Sequence, residues 1–432
     1  MSLFGSSGIR GIVGADFTVD LAAKIGNAVG SLHGEIIHGR DPRLSGLMVL
    51  QALAAGETAA GAQIYDAGMV PTPTLAMAAE DFDCGIMITA SHNPPEYNGI
   101  KLWNADGSAF NSEQMAEIEK RIAADWQTVG WKSTGSYQSW EGAIEKHTTV
   151  ICDALTDSSA KTVIDCGCGA TSVISPLVLR TLGCKVTSLN AQPDGYFPGR
   201  TSEPTEEQLQ DLKTLVIKKE ADVGIAHDGD GDRMVAMDET GKYLSGDRLL
   251  LLFASWLGVN SIAVPVDASM AVDDLVKEVH RCRVGDVFIS ELLKEQDIDF
   301  GGEPSGTYVF PEEYYCPDGI FAGALLSKIA AERKLSESIA ELPTYPAFRG
   351  SSSFNSAQRE VVTSRLAEEM AAVDCDHLTV LDGYRAESAD GWFLIRLSGT
   401  EPKLRFVAEA RAEAEAREFK EQAEKIIQRC IA

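Results

Sequence analysis

Residues 85–104 read GIMITASHNPPEYNGIKLWN. The apolar run Ile86, Met87, Ile88 has the composition of a buried strand, and it breaks into a turn shaped by Asn93, Pro94 and Pro95. A strand that ends in such a turn is where an α/β sheet presents a reactive side chain, and here that residue is Ser91. Strand-like runs alternate with helix-like stretches on both sides of it. EIIHGRD from Glu35 and AQIYDAG from Ala62 precede it, and KTVIDCG from Lys161, CKVTSLNA from Cys184 and ADVGIAHD from Ala221 follow. SIAVPVDAS from Ser261 and RVGDVFIS from Arg283 continue the series. This alternation predicts mainly parallel sheets in three successive α/β units.

Local signals refine that outline. Pro204-Thr205 followed by Gln208 predicts a capping box opening the helix EEQLQDLKTLVIKK. The Pro- and Ser-rich stretch LPTYPAFRGSSSFN, Leu342 to Asn355, reads as a linker, followed by a helical segment, two apolar strands and a C-terminal amphipathic helix. The last unit is therefore smaller and of another type. No tandem repeat is legible among the α/β units.

At 432 residues the chain predicts roughly three or four domains. Lys and Arg total 38 against 64 Asp and Glu, a formal charge of -26, which excludes a broad electrostatic grip on nucleic acid or a membrane surface. Any bound phosphate must meet a local basic pocket. MSLFGSSGIRGIVG lacks the basic start and apolar core of a signal peptide, and the apolar run Leu249 to Val259 is too short to span a bilayer and predicts a buried helix. Nine cysteines include no CxxC pair, so neither a disulfide framework nor a zinc site is expected, and a reducing cytoplasm fits.

Asp228-Gly229-Asp230-Gly231-Asp232-Arg233 alternates three carboxylates with glycine. The acids repel unless a cation neutralises them, and the glycines let the chain curl until the oxygens face one point. Asp228, Asp230, Asp232 and Glu239 fit EF-hand positions one, three, five and twelve, but Arg233 stands where that loop needs glycine and MVAMD reads as a strand. A tight inter-strand loop is the better expectation. Three protein ligands leave positions open for water or a phosphate oxygen, as magnesium prefers. His92 and Lys101, within ten residues of Ser91, can bring a proton carrier and a positive charge to one hydroxyl. No GxSxG elbow supports a Ser-His-Asp hydrolase.

Gly301-Gly302-Glu303-Pro304-Ser305-Gly306-Thr307 follows the strand-like DIDF, and an extended loop puts Glu303 and Ser305 on one side, an acceptor and a donor-acceptor suited to sugar hydroxyls. Arg396-Leu397-Ser398-Gly399-Thr400-Glu401-Pro402-Lys403-Leu404-Arg405 follows the strand WFLI and has the chemistry of a phosphate nest. Gly167-Cys168-Gly169 is not a dinucleotide fingerprint, because Ser172 replaces the third glycine, and Gly241-Lys242 is not a P-loop, because Ala236 replaces its first.

Taken in order, FGSSGIRG from Phe4, GRDPRLSG from Gly39, TASHNPPEYNGIK from Thr89, DGDGDR from Asp228, GEPSG from Gly302 and RLSGTEPKLR from Arg396 resemble the α-D-phosphohexomutase family over nearly the whole chain. The resemblance implies three similar mixed-sheet α/β domains and a smaller α+β C-terminal domain around a central cleft, here 1–148, 149–250, 251–345 and 346–432. It implies that Ser91 is carried as a phosphoserine and joins Asp228, Asp230 and Asp232 in holding one Mg2+ per subunit. Arg10, Lys101 and Arg233 match positions around the reacting phosphate, and His92 a histidine beside the serine. Glu303, Ser305 and Thr307 fall in the sugar-binding loop, Thr307 standing where the family usually has histidine. Arg396, Ser398, Gly399, Thr400 and Arg405 fall in the loop that grips the non-reacting phosphate. The implied reaction interconverts a hexose 6-phosphate and 1-phosphate through a hexose 1,6-bisphosphate in a cytoplasmic monomer or homodimer, with the linker as hinge. Val284-Gly285-Asp286 resembles the phosphoglucosamine mutases rather than the phosphomannomutase/phosphoglucomutase branch. A phosphatase and a non-enzymatic phosphosugar sensor are the remoter alternatives.

Overall fold

The structure, a computed structural model, describes residues 3–5, 8–399 and 401–432. Its central strands are buried along their whole length: Cys84–Ile88, Val223–His227 and Phe300–Glu303 expose no position, the pattern of strands covered on both faces. Among the described residues the strands form four sheets. From edge to edge the first runs Ile9–Ile12, Tyr97–Asn104, Cys84–Ile88, Glu35–Arg40, Gln63–Met69, Tyr137–Ser139. The second runs Tyr243–Leu244, Met234–Asp238, Val223–His227, Lys161–Asp165, Lys185–Leu189, and the third Glu278–Cys282, Ser261–Pro265, Phe300–Glu303, Thr307–Val309.

These three sheets share one device. Parallel strands give way on one side to an antiparallel return: Cys84–Ile88 into Tyr97–Asn104, Val223–His227 into Met234–Asp238, and Phe300–Glu303 into Thr307–Val309. The connecting loops, residues 89–96, 228–233 and 304–306, all follow the C-terminal end of a parallel strand, where open α/β sheets present their chemistry. The Ser91 loop, the aspartate loop and the Glu303 turn are thus topological equivalents.

The fourth sheet is wholly antiparallel, in the order Ala347–Ser353, Lys403–Ala410, Gly391–Leu397, Tyr384–Ser388, His377–Thr379, backed by the helices Arg359–Ala371 and Glu413–Ile431. It docks on the third unit through a small core of Val266, Trp392, Leu394 and Val407. There the Arg385 guanidinium lies 3.7 Å from the Trp392 ring centre and donates to the Val266 carbonyl at 2.6 Å, a desolvated cation–π contact worth roughly 2 kcal/mol. The second and third units share one continuous core, which takes in Ile164 and Ile225 of the one, Ile262 and Phe300 of the other, and the buried faces of the helices Gly246–Leu257 and Gly319–Glu332. No helix among the described residues is long and apolar enough to cross a membrane.

Several expectations are corrected. RVGDVFIS is not a strand: the strand is Glu278–Cys282, and Gly285, at φ 141°, turns the chain into the helix Asp286–Gln296. The strand's polar EVHRC befits a sheet edge, while Val287, Ile289 and Leu293 supply a buried helical face that a short apolar run cannot distinguish from a strand. The strand expected at DIDF begins only at Phe300, so Gly301 and Gly302 lie inside it, and a Cβ at Gly302 would come 2.5 Å from the Thr307 carbonyl oxygen. The capping box does not form. The Thr205 amide is taken by the Glu203 carbonyl, Thr205 makes no side-chain cap, and a 3-10 turn, Glu206–Leu209, precedes the α-helix Gln210–Lys219. The linker shrinks to residues 342–346, because Ala347–Ser353 pairs along its length with Lys403–Ala410 as an edge strand of alternating exposure. Beyond that edge strand lie four more among the described residues rather than two, since Tyr384–Ser388 and His377–Thr379 lack a continuous apolar run. Positions 148 and 250 fall inside the helices Ala143–Ala154 and Gly246–Leu257; the first packs against both Thr72–Ala78 and Ile174–Thr181, bridging two units.

Candidate active site

Ser91 is buried, and its φ of 49° puts it in the left-handed region that costs a non-glycine residue of order 1 kcal/mol. The surroundings impose that conformation. The buried Arg43 guanidinium donates to the carbonyls of Ser91 at 2.8 Å, Asn93 at 2.7 Å, Pro94 at 2.6 Å and Tyr97 at 2.9 Å, and its Nε to Asp41 Oδ2 at 2.9 Å. Each of its five N–H donors therefore has an acceptor within one turn of chain or on its counter-ion. Asp41 also accepts from the Thr89 hydroxyl at 2.7 Å, whose oxygen accepts the Ser91 amide at 2.8 Å. From the second unit the Ser202 hydroxyl donates between the carbonyls of His92 and Asn93, at 2.8 and 2.9 Å.

The aspartate loop lies against this serine. A Cβ at Gly229 would fall 2.6 Å from the Ser91 carbonyl oxygen, so only glycine allows the approach. Ser91 Oγ donates to Asp228 Oδ2 at 2.8 Å. Lys101 Nζ donates to Asp230 Oδ2 at 2.9 Å and Asp232 Oδ2 at 2.5 Å, and Thr72 Oγ1 donates to Asp230 Oδ2 at 2.6 Å. One oxygen from each aspartate lies within 4.8 Å of the others, and all three residues are buried. Burial and then mutual repulsion push Asp228 well above, and Asp232 above, the usual carboxylate range. For Asp230 burial acts the same way but the Lys101 charge beside it prevails and holds it below that range. Burial likewise opposes the charge on Lys101, and Asp230 and Asp232 outweigh it, raising the ammonium.

This donor set fits a hard divalent cation. Asp230 Oδ1 and Asp232 Oδ1 are buried with no hydrogen-bond partner, and although the Lys101 and Arg233 charges stand beside the three carboxylates, Asp228 and Asp232 are still raised in part by mutual repulsion, which a divalent ion relieves.

Around the serine, His92 Nδ1 lies 3.3 Å from Ser91 Oγ. Burial, then Arg233 and Arg10, push this imidazole down to about 2, so it is neutral at ordinary pH. Arg10 Nη1 donates to Asn93 Oδ1 at 3.4 Å. Arg233 forms a bridge to Thr307, joining the second hairpin to the third. Glu303 Oε1 accepts the Gly285 amide at 2.7 Å and its Oε2 the Ser305 hydroxyl at 3.3 Å, with Thr307 Oγ1 3.2 Å from Ser305 Oγ. Glu303 and Ser305 thus share one side of the turn. Burial, then Asp286, raises Glu303 to about 7.

On the fourth unit Arg396 and Arg405 line a cavity of about 320 Å³ together with Asp267 and Arg349. Arg405 pairs with Glu401 at 2.9 Å, and the buried Ser398 hydroxyl accepts the Glu401 amide at 3.3 Å; Gly399 is exposed, and Thr400 lies outside the described residues. Arg349, Thr72, Ser202 and the Asp41–Arg43 pair escape sequence reasoning, although the last lies in GRDPRLSG. Arg43 carries no local mark of its role, since its acceptors lie some fifty residues away.

Comparison with known proteins covers nearly the whole chain. The phosphoglucomutase/phosphomannomutase alpha/beta/alpha domains I, II and III match residues 1–128, 142–241 and 245–345, and the C-terminal domain of the same family matches 357–426. A probable phosphoglucosamine mutase of Methanocella arvoryzae is 49% identical over 434 residues, 100% of this chain and 99% of that protein. Another, of Methanosarcina acetivorans, is 47% identical over 100% of both. A solved phosphoglucomutase/phosphomannomutase family protein of Burkholderia thailandensis superposes with a TM-score of 0.89 at 29% identity, covering 99% of this chain and 97% of that one. The N-acetylphosphoglucosamine mutase of Aspergillus fumigatus, solved with GlcNAc-6P and magnesium, shares the fold at 16% identity, with a TM-score of 0.62 over 99% and 96% of the two chains.

Proposed function

This chain belongs to the phosphoglucomutase/phosphomannomutase family and is a hexose phosphate mutase, an isomerase, and we propose that its substrate is glucosamine phosphate, interconverted between the 6-phosphate and the 1-phosphate. The relatives named as probable phosphoglucosamine mutases, nearly half identical over the full length, support that sugar. The observation that carries the chemistry is the Ser91 hydroxyl donating to Asp228 at the edge of three converging carboxylates.

On this reading Ser91 carries the phosphoryl group, and Asp228, Asp230 and Asp232, with the Ser91 phosphate, hold one Mg2+. The ion supplies positive charge that offsets the charge developing on the transferring group. The P–O bond to Ser91 breaks as a bond to the sugar hydroxyl forms, the hydroxyl's proton passing to the departing Ser91 oxygen, giving a hexose 1,6-bisphosphate; this turns within the cleft and returns its other phosphate to Ser91, whose proton goes back to the sugar oxygen. Alignment and electrostatics carry most of such a transfer. Lys101, kept an ammonium by two aspartates, stabilises the same charge, and neutral His92 offers the nearest ring nitrogen to the Ser91 oxygen. Glu303, Ser305 and Thr307 hold the sugar, and Arg396, Ser398, Gly399, Thr400 and Arg405 hold the phosphate that is not reacting. The chain acts as four units, each giving one loop to a shared cleft, in a cytoplasmic monomer or homodimer.

The test is interconversion of glucosamine, mannose and glucose 6-phosphates with their 1-phosphates, using purified protein, Mg2+ and a trace of the matching bisphosphate. The highest kcat/KM with glucosamine phosphate is expected; preference for mannose or glucose phosphate moves the enzyme to the other branch, and release of inorganic phosphate without isomerisation makes it a phosphatase.

A further inference from the structure

Two consecutive backbone amides of the third unit serve two different carboxylates. Gly285 N donates to Glu303 Oε1 at 2.7 Å, while Val284 N donates to Asp382 Oδ2 at 3.1 Å. Asp382 belongs to the fourth unit, in the turn between His377–Thr379 and Tyr384–Ser388, and its Oδ2 also lies 3.2 Å from Arg396 Nη2. One carboxylate oxygen therefore ties Arg396, near the end of the strand Gly391–Leu397, to the loop whose next amide fixes Glu303.

The turn is built for this contact. Gly383 has φ 84°, and a Cβ there would lie 2.7 Å from Arg396 Cα, so the turn packs directly on the strand carrying Arg396. Asp382 engages Arg396 through Nη2, whereas Arg396 Nε is buried without a hydrogen-bond partner, and the cavity beside the guanidinium is shared with Arg349, Arg405 and the carboxylate of Asp267. The arginine is thus held at one terminal nitrogen and retains donor capacity for an anion.

We propose that Asp382 is a positioning residue that couples Arg396, at the phosphate end of the cleft, to Glu303, at the sugar end, through the adjacent amides of Val284 and Gly285. It rests on the reading above, in which Arg396 grips the distal phosphate and Glu303 the sugar. An anion drawing on the Arg396 charge changes the hold on Asp382, hence on Val284 and on the amide that orients Glu303, so occupancy at one end is felt at the other. Such coupling suits an intermediate that must present either of its phosphates to the same two ends. The Asp382 and Arg396 side chains are 21% and 18% exposed, so Asp382→Asn, which keeps an acceptor oxygen for both donors, accompanies the truncation and separates loss of the contact from loss of the fold.

The test compares the full-length wild type with Asp382→Ala and Asp382→Asn by amide hydrogen exchange in the ligand-free state and by steady-state kinetics. In Asp382→Ala, exchange at Val284 and Gly285 rises about tenfold, the loss of one charge-assisted hydrogen bond. KM for the sugar phosphate rises about tenfold while kcat stays within about twofold. Asp382→Asn, which keeps the acceptor oxygen, restores most of the exchange protection. Unchanged exchange at Val284 in Asp382→Ala overturns the proposal, as does faster exchange confined to Val284 with Gly285 and KM untouched. If the wild type isomerises no hexose phosphate, the functional reading fails on its own, and exchange at the two amides still decides whether Asp382 holds the loop.

Discussion

The Ser91 hydroxyl comes from the hairpin of the first sheet and Asp228 from the equivalent hairpin of the second, and they meet at 2.8 Å. A hydroxyl bonded across a unit boundary is aligned only while both units keep their register. The alignment has several independent supports: Arg43 and Thr89 from the first unit, Ser202 from the second, and the close approach of Gly229.

On the proposed mechanism Ser91→Ala removes the phosphoryl carrier while leaving the aspartate loop and the Glu303 turn intact. Isomerisation is expected to fall by about 10⁴-fold or more, with sugar phosphate affinity within a few-fold of wild type by calorimetry. Full mutase activity in this variant rules out a phosphoserine mechanism.

Chelation is the second test. Asp230 and Asp232 each keep a buried oxygen without a hydrogen-bond partner, so a divalent ion should bind there and stabilise the fold by mass action. Removing divalent ions is expected to abolish turnover and lower Tm, with Mg2+ restoring both. Asp232→Asn should weaken Mg2+ at least about tenfold in a titration followed by activity. A chelated enzyme that turns over at the wild-type rate excludes a metal at this loop.

Chain-local chemistry was the legible part of the site. Ser91 and the three aspartates each lie in one short loop, and Glu303 and Ser305 two residues apart at one turn, so composition and spacing sufficed to single them out. Arg43 could not be singled out, because what defines it is a set of carbonyls brought to it by tertiary folding. The equivalence of the three hairpins was hidden for a related reason: topology repeats while side chains differ with each loop's chemistry. RVGDVFIS misled because its apolar residues serve a helix face, and the true strand beside it, at a sheet edge, needs few apolar residues.

Arg43 supplies a stability prediction. Arg43→Ala leaves the buried Asp41 carboxylate without its counter-ion and four carbonyls without their donor, a change of about 3–5 kcal/mol for a broken buried pair. Arg43→Lys keeps a charge but cannot fork to five acceptors, so it should fall between. Denaturant unfolding gives the order, and hydrogen exchange across residues 89–97 should show the loop loosened in both. Wild-type stability in Arg43→Ala would mean that the loop is held by other contacts.

Glu303 gives a pH dependence with a defined sign. Burial, then Asp286, lifts its carboxyl from 4.5 to about 7 in the folded protein. Between those values the folded state keeps a proton that the unfolded chain has lost, so stability from this group is present below about pH 4.5 and declines as pH rises through 7, by at most about 1.4 kcal/mol per pH unit. Glu303→Gln abolishes the titration, so its stability relative to wild type should climb from pH 4.5 to 7 and then level off. Function runs the other way, because only the ionised carboxylate accepts freely from sugar hydroxyls. KM for the sugar phosphate is therefore expected to rise as pH falls below about 7 in the wild type, and to lose that acid limb in Glu303→Gln. An acid limb that persists in the variant assigns it to another group, and a KM unchanged from wild type above pH 7 removes Glu303 from sugar recognition.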